Sequence, residues 1–168
     1  MKPRALALAF AFALSGSGFA SGIPESFDAV NYKKLSPDLA VSGKPSKEAL
    51  AKLKESGFRT AIDLRLPAEG IADARAAIEA QGLTFVSVPV TPETLTKADA
   101  EKVAKVLADP KASPVLLYCA SSNRVGGLLA VVEAMKGKPK DEALAEGRKA
   151  GLKSAAMTEA AERVMAAK

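Results

Sequence analysis

Cys119 and Arg124 are the two residues whose types and spacing are best suited to chemistry. Cys119 is the only cysteine among the 168 residues, and it lies between an apolar run of strand length and a segment with helical periodicity. A loop that leads into a helix turns unpaired N–H groups and the positive end of the helix dipole toward one point. Such a point stabilises an oxyanion or a thiolate, and the planar guanidinium of Arg124 can hold two oxygens of a tetrahedral anion. The spacing therefore predicts a thiolate nucleophile beside an anion site, able to attack phosphorus or sulfur centres.

A structural role is the alternative for Cys119, because free cysteines are among the most buried residue types and many act as small core hydrophobes. The four residues that follow it are small or polar and would make a poor core: Ala120, Ser121, Ser122 and Asn123. We therefore favour a functional thiol, and we predict that these four residues bind the substrate. Residues 119–124 are called the Cys119 loop below.

Strands and helices alternate on both sides of the Cys119 loop. Strands are predicted at residues 39–42, 60–64, 85–90 and from 115 onward, and residues 21–37 are predicted to run extended along the domain edge. Helices are predicted at residues 46–56, 71–81 and 96–107, from Val125 onward, and at residues 141–149 and 158–167. This order predicts an α/β fold with three layers, in which helices flank a mainly parallel sheet.

Capping patterns mark several of these helix ends. Thr96 and Asp99 have the spacing of a capping box, although Asp takes the place of the usual Glu or Gln. Gly57 and Gly82 each follow a helix at the position that usually needs a left-handed backbone. Asp141 is predicted to cap the helix that ends near Lys149.

The loops after the strands of a parallel sheet meet at one edge, and ligands bind there. One such loop carries Asp63, Arg65 and Glu69, and the next carries Glu93. We predict that Asp63 and Arg65 contribute to substrate binding. The alternatives are structural, because Arg65 can pair with Glu69 or with another carboxylate, and Asp63 can accept hydrogen bonds from its own loop.

The first 20 residues have the pattern of a signal peptide. Lys2 and Arg4 precede an apolar run at residues 5–14, and small residues then lead to the cleavage pattern Gly-Phe-Ala at residues 18–20. Because the run is too short to span a bilayer, we predict cleavage after it and a periplasmic or secreted protein without a membrane span, with an uncleaved anchor as the alternative. Residues 21–168 are then one domain, and loss of two cations lowers the formal charge from +5 to +3.

Composition excludes several other classes of function. The chain has no histidine, so it cannot use a Ser-His or Cys-His couple or build a histidine metal site. A single cysteine cannot form a disulfide within the chain. Aromatic residues make up 5% of the sequence, and with scattered basic residues this argues against a nucleic-acid surface.

Four further blocks, together with the Cys119 loop, resemble a known family. These blocks are similar, in the same order, to those of the phosphatase-like domain of beta-lactamase hydrolase-like proteins, a DUF442-type branch of the dual-specificity and tyrosine phosphatase superfamily. The resemblance extends over about residues 30–152, which would be the core of the domain. The blocks are Asn31-Tyr32, residues 35–45 (Leu-Ser-Pro-Asp-Leu-Ala-Val-Ser-Gly-Lys-Pro), residues 57–65 (Gly-Phe-Arg-Thr-Ala-Ile-Asp-Leu-Arg) and Val88-Pro89-Val90.

This resemblance implies a cysteine phosphatase that requires neither a metal nor another cofactor. Cys119 would attack phosphorus, while Arg124 and the loop N–H groups would hold the phosphoryl oxygens. Glu93 would be the general acid, because it lies in the loop where related phosphatases usually hold their catalytic Asp. The expected partners are a small phosphorylated anion or a phosphoprotein.

The Cys119 loop departs from the usual phosphatase signature. Tyr118 replaces the histidine before the cysteine, four residues instead of five precede the arginine, and Val125 replaces the Ser or Thr after it. Ser122 occupies a position where glycine often allows a left-handed turn. A residue other than glycine adopts that conformation at a cost of about 1 kcal/mol. The shorter loop resembles rhodanese-type sulfurtransferases, in which the cysteine carries a persulfide, so transfer from a sulfur-containing anion is the first alternative. A non-catalytic oxyanion-binding module is the second.

Overall fold

The sheet is the framework that places the Cys119 loop. The computed structural model describes residues 22–167, so the predicted signal peptide lies outside the described residues. The strands are β1 (Lys33–Ser36), β2 (Leu39–Ser42), β3 (Thr60–Asp63), β4 (Thr84–Ser87) and β5 (Val115–Tyr118). They are hydrogen-bonded in the order β1-β2-β5-β3-β4, with all pairs parallel except β1 with β2. The predicted mainly parallel sheet is confirmed, and Cys119 follows its central strand.

Helices cover both faces of this sheet, so the predicted three layers are also confirmed. Because side chains alternate along a strand, Leu116 and Tyr118 of β5 face one apolar cluster, and Val115 and Leu117 face the other. The helices are α1 (Lys47–Ala51), α2 (Ile71–Glu79), α3 (Lys97–Leu107), α4 (Asn123–Met135), α5 (Lys140–Lys149) and α6 (Ala155–Ala166). The last two pack on α4. None of the helices within residues 22–167 is long and apolar enough to cross a membrane.

The structure corrects several predicted element bounds. Strand β1 was not predicted, because its sequence Lys-Lys-Leu-Ser is mostly exposed and lacks an alternating apolar pattern. Helix α1 ends at Ala51, and a series of turns continues to Gly57. Strand β4 ends at Ser87 instead of residue 90, although the N–H groups of Val88 and Val90 still donate to the carbonyl oxygens of Asp63 and Leu64.

The two C-terminal helices also begin earlier than predicted. Asp141 does not cap α5, because that helix starts at Lys140 and Asp141 lies in its first turn. The last helix is capped by Ser154, whose hydroxyl accepts a hydrogen bond from the N–H group of Met157. The Thr158 hydroxyl instead donates to the Ser154 carbonyl oxygen.

The capping box predicted for the middle of the chain is confirmed. The left-handed backbone predicted at two glycines is also confirmed, although these glycines lie six and three residues beyond the ends of α1 and α2. The Thr96 side chain accepts a hydrogen bond from the N–H group of Asp99, and the Asp99 carboxylate accepts one from the N–H group of Thr96. Gly57 and Gly82 have φ angles of 90° and 74°. The capping box determines where α3 begins, and the two glycines allow the turns that precede β3 and β4.

Helices α4 and α5 approach each other closely at two glycines. The N–H group of Leu152 and the carbonyl oxygen of Gly147 lie directly against the Cα of Gly126, and a Cβ at Gly126 would lie 2.5 Å from that oxygen. A Cβ at Gly147 would in turn lie 2.6 Å from the carbonyl oxygen of Gly126. This contact holds the C-terminal helices on α4, the helix that begins within the Cys119 loop.

We expect Gly126→Ala to destabilise the protein by about 2 kcal/mol, since added atoms in a packed contact force the backbones apart. Denaturant unfolding monitored by circular dichroism measures this change. In an uncrowded helix the same substitution stabilises by up to about 1 kcal/mol. A stabilising Gly126→Ala substitution would therefore contradict the close packing of α4 and α5.

Candidate active site

The Cys119 loop is fixed from outside by hydrogen bonds from the segment after β2 and from a side chain before β1. The N–H group of Lys44 donates to the Ala120 carbonyl oxygen at 3.0 Å, and Asn31 Nδ2 donates to the Ser121 carbonyl oxygen at 3.2 Å. Gly43 allows this approach, because a Cβ there would lie 2.7 Å from the Ala120 oxygen. The loop shape is therefore set by its neighbours as well as by its own sequence.

Cys119 is fully buried at the end of β5. Its N–H group donates to the Ser42 carbonyl oxygen at 3.2 Å, and its side chain belongs to the apolar cluster on the α4 side of the sheet. Helix α4 starts four residues later, so the unpaired N–H groups of its first turn lie next to the loop. The cysteine thus combines the burial of a core residue with a position at a helix N-terminus.

Arg124 lies beside Cys119 and is held in place by Glu69. Arg124 Nη1 and Nη2 donate to Glu69 Oε2 and Oε1 at 2.8 and 2.7 Å, and Nη1 also reaches the carbonyl oxygens of Leu64 and Val90 at 3.3 and 3.4 Å. The hydrogen bonds that Arg124 donates to Glu69 raise the pKa of Arg124, and the neighbouring Cys119 acts in the same direction. Arg124 is therefore a fixed cation at the cysteine.

Sequence reasoning missed this role for Glu69, since it offered Glu69 only as a partner for Arg65. Glu69 ends a short 3-10 turn at Pro67–Glu69, and its Oε2 also accepts a hydrogen bond from the N–H group of Leu66 at 2.7 Å. The hydrogen bond from Arg124 lowers the pKa of Glu69 from its ordinary 4.5 to about 2. The available signal was its place in the loop after β3, at the same sheet edge as Arg124.

Asp63 and Arg65 bind each other instead of presenting polar atoms to a ligand. Arg65 Nη2 lies 2.7 Å from Asp63 Oδ2, and Nε lies 3.0 Å from Oδ1, with 2% and 0% of the two side chains exposed. Arg65 Nη1 also donates to the Glu69 carbonyl oxygen at 3.1 Å. In place of the predicted substrate contact, this buried pair positions the backbone that carries Glu69.

Tyr118 occupies the position next to this buried pair. The Arg65 guanidinium lies 5.4 Å from the centre of the Tyr118 ring, and the Tyr118 hydroxyl is buried without a hydrogen-bond partner among the described residues. Burial raises the pKa of Tyr118, and the charge of Asp63 raises it further. Tyr118 thus takes the place of the histidine in the usual signature as a neutral, buried group.

Ser122 and Asn123 connect the loop to the C-terminal helices. Asn123 Oδ1 accepts hydrogen bonds from the N–H groups of Lys153 and Ser154 at 2.8 and 3.0 Å, and its Nδ2 donates to Ser154 Oγ at 2.8 Å. Ser122 is buried in the expected left-handed conformation with φ of 69°, against Gly151. Of the four predicted substrate-binding residues, only Ala120 and Ser121 are exposed.

The surroundings of Glu93 favour the ionised form of its side chain. Its side chain is exposed, and Glu93 Oε2 accepts a hydrogen bond from the Thr91 hydroxyl at 2.6 Å. This hydrogen bond lowers the pKa of Glu93, whereas a general acid at neutral pH needs a raised one. The assignment of Glu93 as general acid stays a prediction, and these surroundings argue against it.

Pockets occur at both ends of the sheet. Two wide clefts of about 600 and 800 Å³ both include Thr84 at the amino end of β4, and the smaller of them also includes Thr60 at the amino end of β3, away from Cys119. A smaller pocket of about 280 Å³ includes Lys44 and Glu69 at the carboxyl end. Among residues 22–167 no group of three His, Cys, Asp or Glu side chains is arranged to hold a metal ion.

Comparison with known sequences identifies relatives of this chain. The profile of the family described as "Beta-lactamase hydrolase-like protein, phosphatase-like domain" matches residues 31–136, which is more than half of the chain. A beta-lactamase hydrolase-like protein from Xylella fastidiosa (strain Temecula1) is 33% identical over 119 residues, which cover 67% of this chain and 27% of that protein. This chain therefore corresponds to a minor part of the length of that relative.

Solved structures share the fold over most of the chain. A candidate phosphatase (DUF442) from Shewanella putrefaciens CN-32 aligns with a TM-score of 0.66 and 19% identity, covering 82% of this chain and 93% of that chain. TpbA of P. aeruginosa, in complex with pTyr, aligns with a TM-score of 0.64 and 21% identity, covering 88% of this chain and 90% of that chain. At these identities the likeness shows the cysteine-phosphatase fold.

We expect Ser122→Gly to be more stable than Ser122→Ala by about 1 kcal/mol, because glycine adopts a positive φ without a steric cost. Both substitutions remove the buried Ser122 hydroxyl, which has no hydrogen-bond partner among the described residues. The two variants then differ in backbone freedom and in the Cβ that packs against Gly151, and the expected value is the net of these two effects. Denaturant unfolding of both variants measures it. Equal stabilities would contradict the expected net gain from glycine.

The depressed pKa of Glu69 predicts a pH-dependent contribution to stability. A carboxyl group whose folded-state pKa lies below its unfolded value stabilises the fold above the unfolded pKa and loses that contribution as pH falls. We expect the difference in unfolding free energy between the wild type and Glu69→Gln to be constant above about pH 5.5 and to shrink between pH 4.5 and about 2. Unfolding titrations across this range measure it, and a difference independent of pH would contradict the Glu69–Arg124 pairing.

Proposed function

Because the chain belongs to the family of beta-lactamase hydrolase-like phosphatase-like domains, we propose that it hydrolyses a phosphomonoester through a thiophosphate intermediate on Cys119. The observation that carries this proposal is the fixed Arg124 guanidinium beside Cys119 at the N-terminus of α4. A cation and helix N–H groups that converge on a potential nucleophile suit a phosphoryl group.

In the proposed first step, Cys119 Sγ attacks phosphorus in line with the leaving oxygen. The S–P bond forms, the P–O bond to the leaving group breaks, and the leaving oxygen departs with the bond electrons and takes up a proton. A water molecule then attacks phosphorus and loses a proton to solvent, and the S–P bond breaks with its electron pair going to sulfur. Inorganic phosphate is released and the Cys119 thiolate is restored. The N–H groups of the loop hold the equatorial oxygens in both steps.

Arg124 has hydrogen-bond donors to spare for this task. A guanidinium presents five N–H donors, and Glu69 occupies the end of the group formed by Nη1 and Nη2. The side formed by Nε–H and the second hydrogen of Nη2 is used neither by Glu69 nor by the carbonyl oxygens of Leu64 and Val90. We assign this side of Arg124 to the phosphoryl oxygens, so that Glu69 can stay bound during the reaction.

Glu93 is exposed and accepts a hydrogen bond from the Thr91 hydroxyl, and both features favour its ionised form. An ionised Glu93 cannot donate a proton to the leaving oxygen, and a phenol leaves more readily than an alcohol because its oxygen needs less protonation. We therefore propose aryl phosphates as the substrate class. The complex of the related TpbA with pTyr supports a phosphorylated aryl anion, free or on a protein, as the partner.

The proposed setting is the periplasm or the exterior of the cell. It rests on the signal-peptide pattern in the first 20 residues. Mass spectrometry of the protein purified from its native compartment tests this setting, since cleavage would give an N-terminus near residue 21.

Sulfur transfer is the second candidate, favoured by the four-residue spacing between Cys119 and Arg124. In that reaction Cys119 Sγ would attack the outer sulfur of thiosulfate, release sulfite and keep the sulfur as a persulfide. Mass spectrometry after treatment with thiosulfate would then show a gain of one sulfur atom on Cys119. A protein without this adduct that hydrolyses aryl phosphates would exclude the second candidate.

We expect the purified, reduced protein to hydrolyse 4-nitrophenyl phosphate, with no turnover by Cys119→Ser and a loss of about 10²–10³-fold in kcat for Arg124→Ala, the cost of removing an oxyanion donor. Release of 4-nitrophenol measures the rate. Arg59→Ala is the matched control, because Arg59 is exposed and precedes β3 at the opposite edge of the sheet. Equal rates in all four proteins, or no turnover by the wild type, would reject the phosphatase. A non-catalytic module would then be indicated by saturable phosphate binding without turnover of phosphate or sulfur donors.

A further inference from the structure

A pocket of about 280 Å³ borders the Cys119 loop on the α1–α2 face of the sheet. Two of its lining residues are also in contact with the loop: the Lys44 N–H group donates to the Ala120 carbonyl oxygen, and Glu69 binds Arg124. We refer to it as the Lys44 pocket. The Lys44 pocket therefore adjoins the loop that would hold the phosphate.

The interior of the Lys44 pocket is apolar. Leu50 and Ala74 line it and are buried, and Pro45 and Ala77 complete the apolar surface. Its volume exceeds that of a 150 Å³ cavity that accommodates benzene, and it lies at the lower end of the range for small-molecule sites. One aromatic ring with a substituent fits this space.

The charge that remains available in the Lys44 pocket is positive. Arg65 is paired with Asp63, and Glu69 is paired with Arg124, so neither has its charge free for a ligand. Lys44 and Lys47 are exposed, and neither forms a salt bridge within residues 22–167. Apart from Glu69, Asp73 is the one carboxylate among the residues that line the pocket.

We propose that the Lys44 pocket binds the leaving group of an aryl phosphate that carries a second anionic group, with the ring on the apolar surface and the second anion at Lys44 and Lys47. This inference rests on the proposed phosphatase activity and adds the substrate class. Both lysines would contact the second anionic group and not the reacting atoms. Their role is therefore to select the substrate. Their attraction for the anion acts near the surface and weakens as salt screens it.

The test compares phenyl phosphate with 4-carboxyphenyl phosphate in three forms of the full chain. These are the wild type, the double variant Lys44→Gln/Lys47→Gln, and the control Lys52→Gln/Lys54→Gln, whose exposed lysines follow α1 outside the pocket. The measured quantity is the kcat/KM for the carboxylated substrate divided by that for phenyl phosphate. Taking this ratio in each protein removes any general effect of the substitutions on catalysis.

We expect the ratio to fall about tenfold in Lys44→Gln/Lys47→Gln, a loss of about 1.4 kcal/mol of attraction, and to stay at the wild-type value in the control. We also expect the wild-type ratio to decrease when salt is raised from 0.05 to about 0.5 M. An equal ratio in all three proteins, with turnover intact, would overturn this inference and leave the phosphatase proposal standing.

If none of the proteins shows turnover, the affinities for the two compounds test whether the Lys44 pocket binds the second anionic group. Calorimetry with Cys119→Ser, which cannot form the thiophosphate, gives the Kd of each compound without chemistry. Tighter binding of 4-carboxyphenyl phosphate that depends on Lys44 and Lys47 would support the pocket while rejecting the hydrolase. Equal affinities for the two compounds would reject the pocket as well.

Discussion

The ion pair between Glu69 and Arg124 joins the two halves of the site. These residues are 55 positions apart in the sequence, and each comes from a loop at the carboxyl edge of the sheet. Glu69 is itself positioned by Arg65, which is held by Asp63 in a pair that is almost completely buried. Removing one partner of a buried ion pair typically costs about 3–5 kcal/mol, because the other charge is left unpaired. The position of Arg124 thus depends on three charged residues that need not touch a substrate.

This arrangement separates binding from positioning among the charged residues at the sheet edge. Arg65 donates hydrogen bonds to Asp63 and to the carbonyl oxygen of Glu69, and the Glu69 carboxylate accepts hydrogen bonds from one side of Arg124. The other side of Arg124 is left for an anion. Preorganised donors of this kind need no rearrangement when negative charge arrives. Specificity then falls to residues farther out, such as Lys44 and Lys47 on the rim of the neighbouring pocket.

The sequence predicted the parts of the fold that depend on local patterns. Three features follow from residue type and spacing: the capping box of Thr96 and Asp99, the positive φ at Gly57 and Gly82, and the mainly parallel pairing of the strands. Strand β1 was missed because an exposed edge strand carries no apolar alternation. For the site, the sequence brought the right loops together but assigned Asp63 and Arg65 to the substrate, since the choice between a ligand and a neighbouring side chain depends on orientations that spacing does not encode.

The hydrogen bonds that link Asn123 with Lys153 and Ser154 have a consequence for the order in which the site is completed. A chain is synthesised from its N-terminus, and the earlier part of a domain emerges from the ribosome before the later part. The sheet and the nucleophile are therefore present while the partners of Asn123 are still missing. The partners of Asn123 are made only after α5, whereas Lys44 and Asn31, which bind Ala120 and Ser121, are made before the loop. The end of the loop that leads into α4 is therefore the last to gain its anchors.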